Sequence, residues 1–251
     1  MQDRGPAAYA AEFLGTLLLV FFITIVVSLF ATQPTPQNPA PFIDWSVIGL
    51  VHVFILFLLV QTLAVVSGAH FNPAVTVAMT ALRQIKPGDA GIYILGQLSG
   101  AIGGALLTKL LLNNFGNADA VNFGAVTISQ ATLDGKVLLG MLAEFIGTFI
   151  LVFTIVGVAL DPRVDRALAP LAIGVALGMA VMVTGTLSGG SLNPARAFGP
   201  ALVANHFGGV GDFLLAYVLA PVLGALAAAF AYFYVLMEPG KKGVGGMEPV
   251  G

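Results

Sequence analysis

The chain has 251 residues, of which 58% are hydrophobic and only 9% charged, with a formal net charge of −2. Its mean hydropathy of +0.96 sets it apart from ordinary soluble domains, in which about a quarter of residues are charged. No basic tract suits nucleic acid, and zero cysteines exclude disulfides and thiolate chemistry.

Apolar runs recur at the length needed to cross a bilayer, about 20 residues. The first, about Tyr9–Phe30, contains Ala11-Glu12-Phe13-Leu14-Gly15-Thr16. No small-residue cleavage site follows it, so it reads as a retained helix and not a signal peptide. Gln33–Pro41 is a Pro-rich loop whose Asn38-Pro39-Ala40 reads as chance, because no short helix follows it. The second span, about Trp45–Val66, leads into Ser67-Gly68-Ala69-His70-Phe71-Asn72-Pro73-Ala74. Pro73–Leu82 comes next, about ten residues, a rise of ~15 Å or half the hydrocarbon thickness. The third span, about Ala90–Asn113, carries Gly96, Gly100 and Gly104, a spacing that lets helices approach closely. Asn113–Asp134 is a loop long enough to cover a pore mouth.

The fourth span, about Lys136–Leu160, repeats the first motif as Ala143-Glu144-Phe145-Ile146-Gly147-Thr148. The fifth, about Leu168–Leu187, has Gly174 and Gly178, and is followed by Ser188-Gly189-Gly190-Ser191-Leu192-Asn193-Pro194-Ala195. A second short stretch, Pro194–Val203, precedes the sixth span, about Asp212–Leu236. The Gly-rich tail after Glu238 is expected to be disordered.

The fold class that follows is an all-α membrane protein with six transmembrane helices plus two re-entrant half-helices in an inverted repeat. Three spans per half force the second half to insert upside down, with the functional site at the repeat interface. Residues 1–251 form a single channel domain, with one repeat over about 8–113, the other over about 136–236, and a tail at 238–251. Asn is a preferred N-cap and Pro is favoured at the first helical position. Asn72 and Asn193 should therefore each cap a half-helix, side by side at the bilayer centre. Irregular backbone at that depth must line a cavity or be buried in protein. The carbonyls of Gly68, Ala69, His70, Gly189, Gly190 and Ser191 are thus expected to form a ladder of acceptors along a pore. Positive charge is concentrated at Arg4, Arg83, Lys86, Arg163, Arg166, Lys241 and Lys242, with Lys109, Lys136 and Arg196 on the other side, which predicts both termini in the cytoplasm.

Glu12 and Glu144 occupy matching places in the repeat. They read either as braces accepting hydrogen bonds from the loops or as a proton or ion relay. Arg196, in the first turn of the second half-helix, opposes the helix dipole and is costly in the membrane. That points to a guanidinium projecting into a pore, with a purely structural partner as the alternative. His52 reads as pore-lining or as a packed polar residue, and His70 as a donor of its backbone carbonyl. No catalytic constellation, metal cluster or phosphate loop is present, so neither an enzyme nor a cofactor is expected.

With these motifs in this order and spacing, the chain resembles the aquaporins, or major intrinsic protein family, from about Ala8 to Leu236. The resemblance implies a six-helix bundle with two half-helices, a pore in each subunit of a homotetramer, and Asn72-Pro73-Ala74 and Asn193-Pro194-Ala195 at the pore centre. It also implies a selectivity constriction at His52, Val181, Gly190 and Arg196. That set is similar to the plant tonoplast group and implies an opening wide enough for ammonia, hydrogen peroxide or urea besides water. The glycerol branch usually has Asp after the second motif and a basic residue four further on. Ala197 and Ala201 depart from that pattern, and Val218 departs from the Trp usual in water channels. The expected partners are water, small uncharged solutes and the lipid bilayer, with no nucleic acid. The expected location is a cell (inner) membrane, with a vacuolar membrane as the alternative. Competing functions are an ammonia, urea or peroxide facilitator, a glycerol facilitator, an ion-coupled secondary transporter, and a structural junction protein.

Overall fold

The computed structural model describes residues 5–31 and 43–237. Asn38-Pro39-Ala40 and the tail lie outside the described residues. In chain order the main helices are α1 (Pro6–Phe30), α2 (Trp45–Ser67), the short α3 (Pro73–Ala81), α4 (Pro87–Leu112), α5 (Val137–Leu160), α6 (Arg166–Ser188), the short α7 (Pro194–Val203) and α8 (Val210–Leu236). Among the described residues, all but α3 and α7 of these are long and apolar enough to cross a membrane.

Several helices start earlier than hydropathy suggests. Tyr9 and Ala90 lie inside helices that begin at Pro6 and Pro87, because proline at the first position loses no hydrogen bond. Likewise α8 begins before Asp212, whose carboxylate sits in the favourable first turn. Its turn at Leu215–Leu219 is π-helical and holds Val218, which packs against the apolar cluster that contains Val126, Ala197, Phe213 and Tyr217.

Helix contacts follow the glycines. The chain passes so close at Gly100 and Gly104 that a Cβ would collide with the carbonyls of Phe13 and Leu17 on α1. On α6, Gly174 meets the carbonyl of Val53, and Gly178 meets Gly49 of α2. Gly224 of α8 meets the carbonyl of Phe145 on α5. These are backbone-to-backbone approaches of the kind that drive association in lipid. Gly96 is different: a methyl there would find its nearest neighbours at 3.6 Å, an ordinary contact.

The two halves interlock. The half-helix α3 packs more on α8 than on its own neighbour α4, and α7 packs mainly on α4. Gly199 of α7 meets the Ala101 carbonyl there. The tips of α3 and α7 touch, which sets up the central site.

Beyond the end of α5, Asp161 is buried beside the end of α8. It accepts from Arg163 Nε at 2.9 Å, Arg163 Nη2 at 2.6 Å and Tyr232 Oη at 3.3 Å, while Arg163 Nη2 also donates to the Leu236 carbonyl at 3.1 Å. The Arg163 hydrogen bonds hold the Asp161 carboxyl well down, at about 2, against the opposing effect of burial. A carboxyl depressed on folding stabilises above its unfolded pKa of about 4 and loses that contribution as the pH falls through its folded value. Asp161→Asn is expected to lower the unfolding temperature at pH 7 by about 2–4 °C, the equivalent of about 1 kcal/mol for a pair with an exposed Arg. The gap to the parent protein should close between about pH 4 and about pH 2. Thermal unfolding in detergent across that range tests it, and a gap that stays constant with pH would contradict the assignment.

Candidate functional site

Both loops before the half-helices take the same path. Gly68 (φ 89°), Ala69 (φ 53°) and Phe71 (φ 48°) are left-handed, and so are Gly189 (φ 82°), Gly190 (φ 58°) and Leu192 (φ 54°). Left-handed backbone costs about 1–2 kcal/mol at a non-glycine residue, so Ala69, Phe71 and Leu192 need compensation. Phe71 and Leu192 receive it from a carboxylate. Glu12 accepts from Phe71 N at 2.7 Å, His70 N at 3.0 Å, Ser67 Oγ at 2.6 Å and Gln97 Nε2 at 2.7 Å. Glu144 accepts from Leu192 N at 2.6 Å, Ser191 N at 2.9 Å and Ser188 Oγ at 2.6 Å. Both carboxylates are fully buried, and neither lines the cavities described below.

The glycine of each Ala-Glu-Phe-x-Gly-Thr motif makes room for the same loop residue. A Cβ on Gly15 would collide with the Phe71 ring, and one on Gly147 with Leu192. Each loop start is also tied by a tyrosine. Tyr93 Oη donates to the Ser67 carbonyl at 2.7 Å, and Tyr217 Oη to the Ser188 carbonyl at 2.8 Å. Sequence reasoning did not single out these tyrosines, and nothing local in the sequence marks them.

At the centre, Asn72 Oδ1 accepts from Ala74 N at 2.9 Å, and Asn193 Oδ1 accepts from Ala195 N at 3.0 Å. These are N-caps on helices whose first residues are Pro73 and Pro194. The amide nitrogens cross over. Asn72 Nδ2 donates to the Leu192 carbonyl at 2.9 Å, and Asn193 Nδ2 donates to the Phe71 carbonyl at 2.9 Å. Each amide has two N–H donors, so one remains after this exchange. The left-handed residues therefore serve twice: their N–H groups meet the carboxylates and their carbonyls hold the opposite asparagine.

An internal cavity runs past this junction. Its wall includes Ala69, His70, Asn72, Ser191, Asn193, His52 and Arg196, with aliphatic side chains such as Leu19, Ile23, Leu56, Val75, Leu151 and Leu177 completing it. A wider vestibule of about 830 Å³ lies beyond, bordered by Trp45, Asn122, Gly124, Gly189, Phe207, Asp212 and Tyr217. Arg196 belongs to both walls. Gly68, Val181 and Gly190 line neither. Val181 is buried and belongs to the same apolar core as Ile48 and Leu177, and a Cβ on Gly190 would point at Thr184 Oγ1, 3.1 Å away. The His70 ring is turned aside, with Nδ1 3.2 Å from Thr76 Oγ1 and the ring edge-on to Tyr93.

Arg196 is 2% exposed, and its Nη1 donates to the Gly124 carbonyl at 2.9 Å. No partner among the described residues reaches its Nε. His52 Nδ1 lies 2.8 Å from the Ile48 carbonyl. A carbonyl only accepts, so that nitrogen carries the proton and Nε2 is an acceptor in the neutral ring. His52 Nε2 also has no partner among the described residues. A donor and an acceptor without partners among the described residues thus border one cavity, and the donor's residue, Arg196, stands between that cavity and the vestibule. Burying such groups dry costs about 1–3 kcal/mol each, and a polar guest that both accepts and donates would satisfy them.

The model of the family described as "Major intrinsic protein" matches residues 5–232. Aquaporin AqpM of Methanothermobacter marburgensis is 35% identical over 241 residues, covering 91% of this chain and 96% of the relative. Nodulin-26 of Glycine max is 36% identical over 222 residues (88% and 75% covered). The probable aquaporin TIP-type RB7-5A of Nicotiana tabacum is 37% identical over 233 residues (90% and 85% covered). The X-ray structure of the aquaglyceroporin from Plasmodium falciparum superposes with a TM-score of 0.75 over 90% of this chain and 94% of that one; at 22% identity it speaks to the fold alone. Among the described residues, six apolar spans and two half-helices meeting at paired Asn-Pro-Ala caps, together with a match to the family model along residues 5–232, lead to one conclusion: the chain is a multi-pass integral membrane protein that belongs to the major intrinsic protein family of aquaporin-type channels and is not an enzyme.

Proposed function

We propose that the channel conducts water passively, together with small uncharged solutes, and excludes protons and ions. The observation that carries this reading is the meeting of cavity and vestibule at Arg196, with the unpartnered Arg196 Nε and His52 Nε2 bordering the passage. A water molecule can accept from the first and donate to the second. Further in, the remaining N–H of Asn72 and of Asn193 can each donate to a passing oxygen. The N-termini of α3 and α7 add positive potential there. A molecule held as acceptor by two donors cannot hand a proton along the file, and Arg196 repels cations.

In this reading Asn72-Pro73-Ala74 and Asn193-Pro194-Ala195 form the centre, and Gly68, Ala69, His70, Gly189, Gly190 and Ser191 supply the carbonyl ladder. Glu12 and Glu144 act as braces, since carboxylates enclosed by loop donors and away from the cavities suit a proton relay poorly. His52, Val181, Gly190 and Arg196 form the constriction, similar to the tonoplast group. The small Val181 and Gly190 favour ammonia, urea or peroxide as additional solutes, while Ala197 and Ala201 disfavour glycerol. The assembly is a homotetramer in a cell (inner) membrane, with both termini cytoplasmic.

Stopped-flow shrinkage of proteoliposomes tests the function directly. Water permeability should exceed that of empty vesicles about tenfold or more, and an imposed pH gradient should not alter it. Permeability equal to empty vesicles would overturn the reading, and flux that follows a proton gradient would favour a coupled transporter. With no cysteine in the chain, mercurials should leave the flux unchanged.

A further inference from the structure

Arg196 takes its protein acceptor from a turn that the local sequence does not favour. Asn122 (φ 50°), Phe123 (φ 49°) and Gly124 (φ 78°) are left-handed in succession; asparagine and glycine tolerate that backbone, but it is unfavourable for Phe123. Phe123 is nevertheless buried, 3% exposed, and Gly124 delivers its carbonyl to Arg196 Nη1 at 2.9 Å. This turn packs mainly on α1, and the last turn of α4 adds a charged contact to it. The Lys109 ammonium lies 5.4 Å from the centroid of the Phe123 ring, a cation–π distance. The same ammonium donates to the Val203 carbonyl at 3.1 Å. Val203 is the last residue of α7, and Arg196 lies in the first turn of that helix. A cation at that carbonyl end also complements the helix dipole. Next to Lys109, Thr108 Oγ1 bonds Thr24 Oγ1 at 2.6 Å, and Thr24 backs Gly124, whose Cβ would sit 3.1 Å from the Thr24 Cα.

One side chain therefore joins both supports of Arg196: the loop that holds its guanidinium and the half-helix that carries its backbone. We propose that Lys109 is a positioning residue for Arg196, setting the width and polarity of the passage without touching the solute. The proposal rests on the reading of Arg196 as the selective group. Its loss should let the Gly124 turn relax and the guanidinium move, admitting larger uncharged solutes.

The test measures urea and water permeability in proteoliposomes, normalised to reconstituted protein, for the parent protein, Lys109→Met, Lys109→Arg, Phe123→Leu, Arg196→Val and the Lys109→Met/Arg196→Val double variant. Lys109→Met is expected to raise the urea-to-water ratio about threefold or more. Lys109→Arg, which keeps the cation and the donor, should restore the parent ratio. In the Arg196→Val background Lys109→Met should add nothing, because both changes act through one group. A general loss of folding would lower both permeabilities and leave the ratio alone. Phe123→Leu removes only the ring beneath the ammonium and should raise the ratio less; it serves if Lys109→Met does not reconstitute. An unchanged ratio in the folded Lys109 or Phe123 variant, with Arg196→Val raising it, would overturn the positioning role and leave the function standing. A full Lys109→Met effect in the double variant would also overturn it. An unchanged ratio in Arg196→Val would overturn the reading of Arg196 as the selective group and this proposal with it, while water permeability above that of empty vesicles would leave water conduction standing.

Discussion

Arg196→Val is expected to raise the permeability to urea and other small solutes about tenfold relative to water, and to open a measurable leak to cations or protons. Arg196 is a buried cation, 2% exposed, at the junction of the cavity and the vestibule. Its removal deletes the guanidinium donors and the positive charge at one stroke, and leaves the Gly124 carbonyl without that bond. Valine is shorter, so the passage gains both width and neutrality. A charge at such a position is worth several kcal/mol as a barrier to a like charge in a low-dielectric passage. Vesicle swelling in urea and the decay of an imposed pH gradient measure the two effects. Selectivity equal to that of the parent would contradict the role given to Arg196.

The second large effect is expected from Glu144→Ala. The carboxylate accepts from Ser188 Oγ, Ser191 N and Leu192 N, all in buried residues. Removing it strands Ser191 N and Leu192 N at about 1–3 kcal/mol each, leaves Ser188 Oγ only its longer bond to the Thr184 carbonyl at 3.4 Å, and leaves the left-handed Leu192 without its compensation. The sum is a large share of a typical stability of 5–15 kcal/mol. The unfolding temperature in detergent should fall by about 10 °C or more, and water conduction should be lost with it. Glu144→Gln keeps the volume and one acceptor but turns an NH₂ toward a donor, so it should fall between the two. Glu12→Ala should cost at least as much, because Glu12 also meets Gln97 Nε2. If Glu144→Gln kept full stability and water flux while abolishing a proton-driven flux, the relay reading would replace the brace.

Much of this architecture is legible in the sequence because the signals are local. Asn followed by Pro marks a helix start, and Asn72 and Asn193 do cap α3 and α7. Apolar length marks six spans, and the glycines at 100, 104, 174 and 178 mark close backbone contact. Less was legible in the loops. Gly68 and Gly189 announce unusual backbone, but Phe71 and Leu192 do not, since bulky residues ordinarily avoid positive φ. The purpose of Gly15 and Gly147 was hidden for the same reason: each glycine answers the bulk of a residue more than 40 positions away. Of the four residues that the family resemblance places at the constriction, His52 and Arg196 border the internal cavity, while Val181 and Gly190 line neither that cavity nor the vestibule.

What the sequence alone determined was the repeat itself, its two caps and its inverted insertion, because an odd number of spans and an Asn-Pro start are properties of short stretches. The tertiary structure alone decided that α3 packs on α8 and α7 on α4, that each asparagine amide is held by the other half's loop, and that Gly124 reaches Arg196. The hydrogen bonds among those contacts join residues 72 to 122 positions apart. No periodicity encodes them, and they arise only when two oppositely inserted halves bury each other's backbone groups, which the hydrocarbon leaves no other way to satisfy.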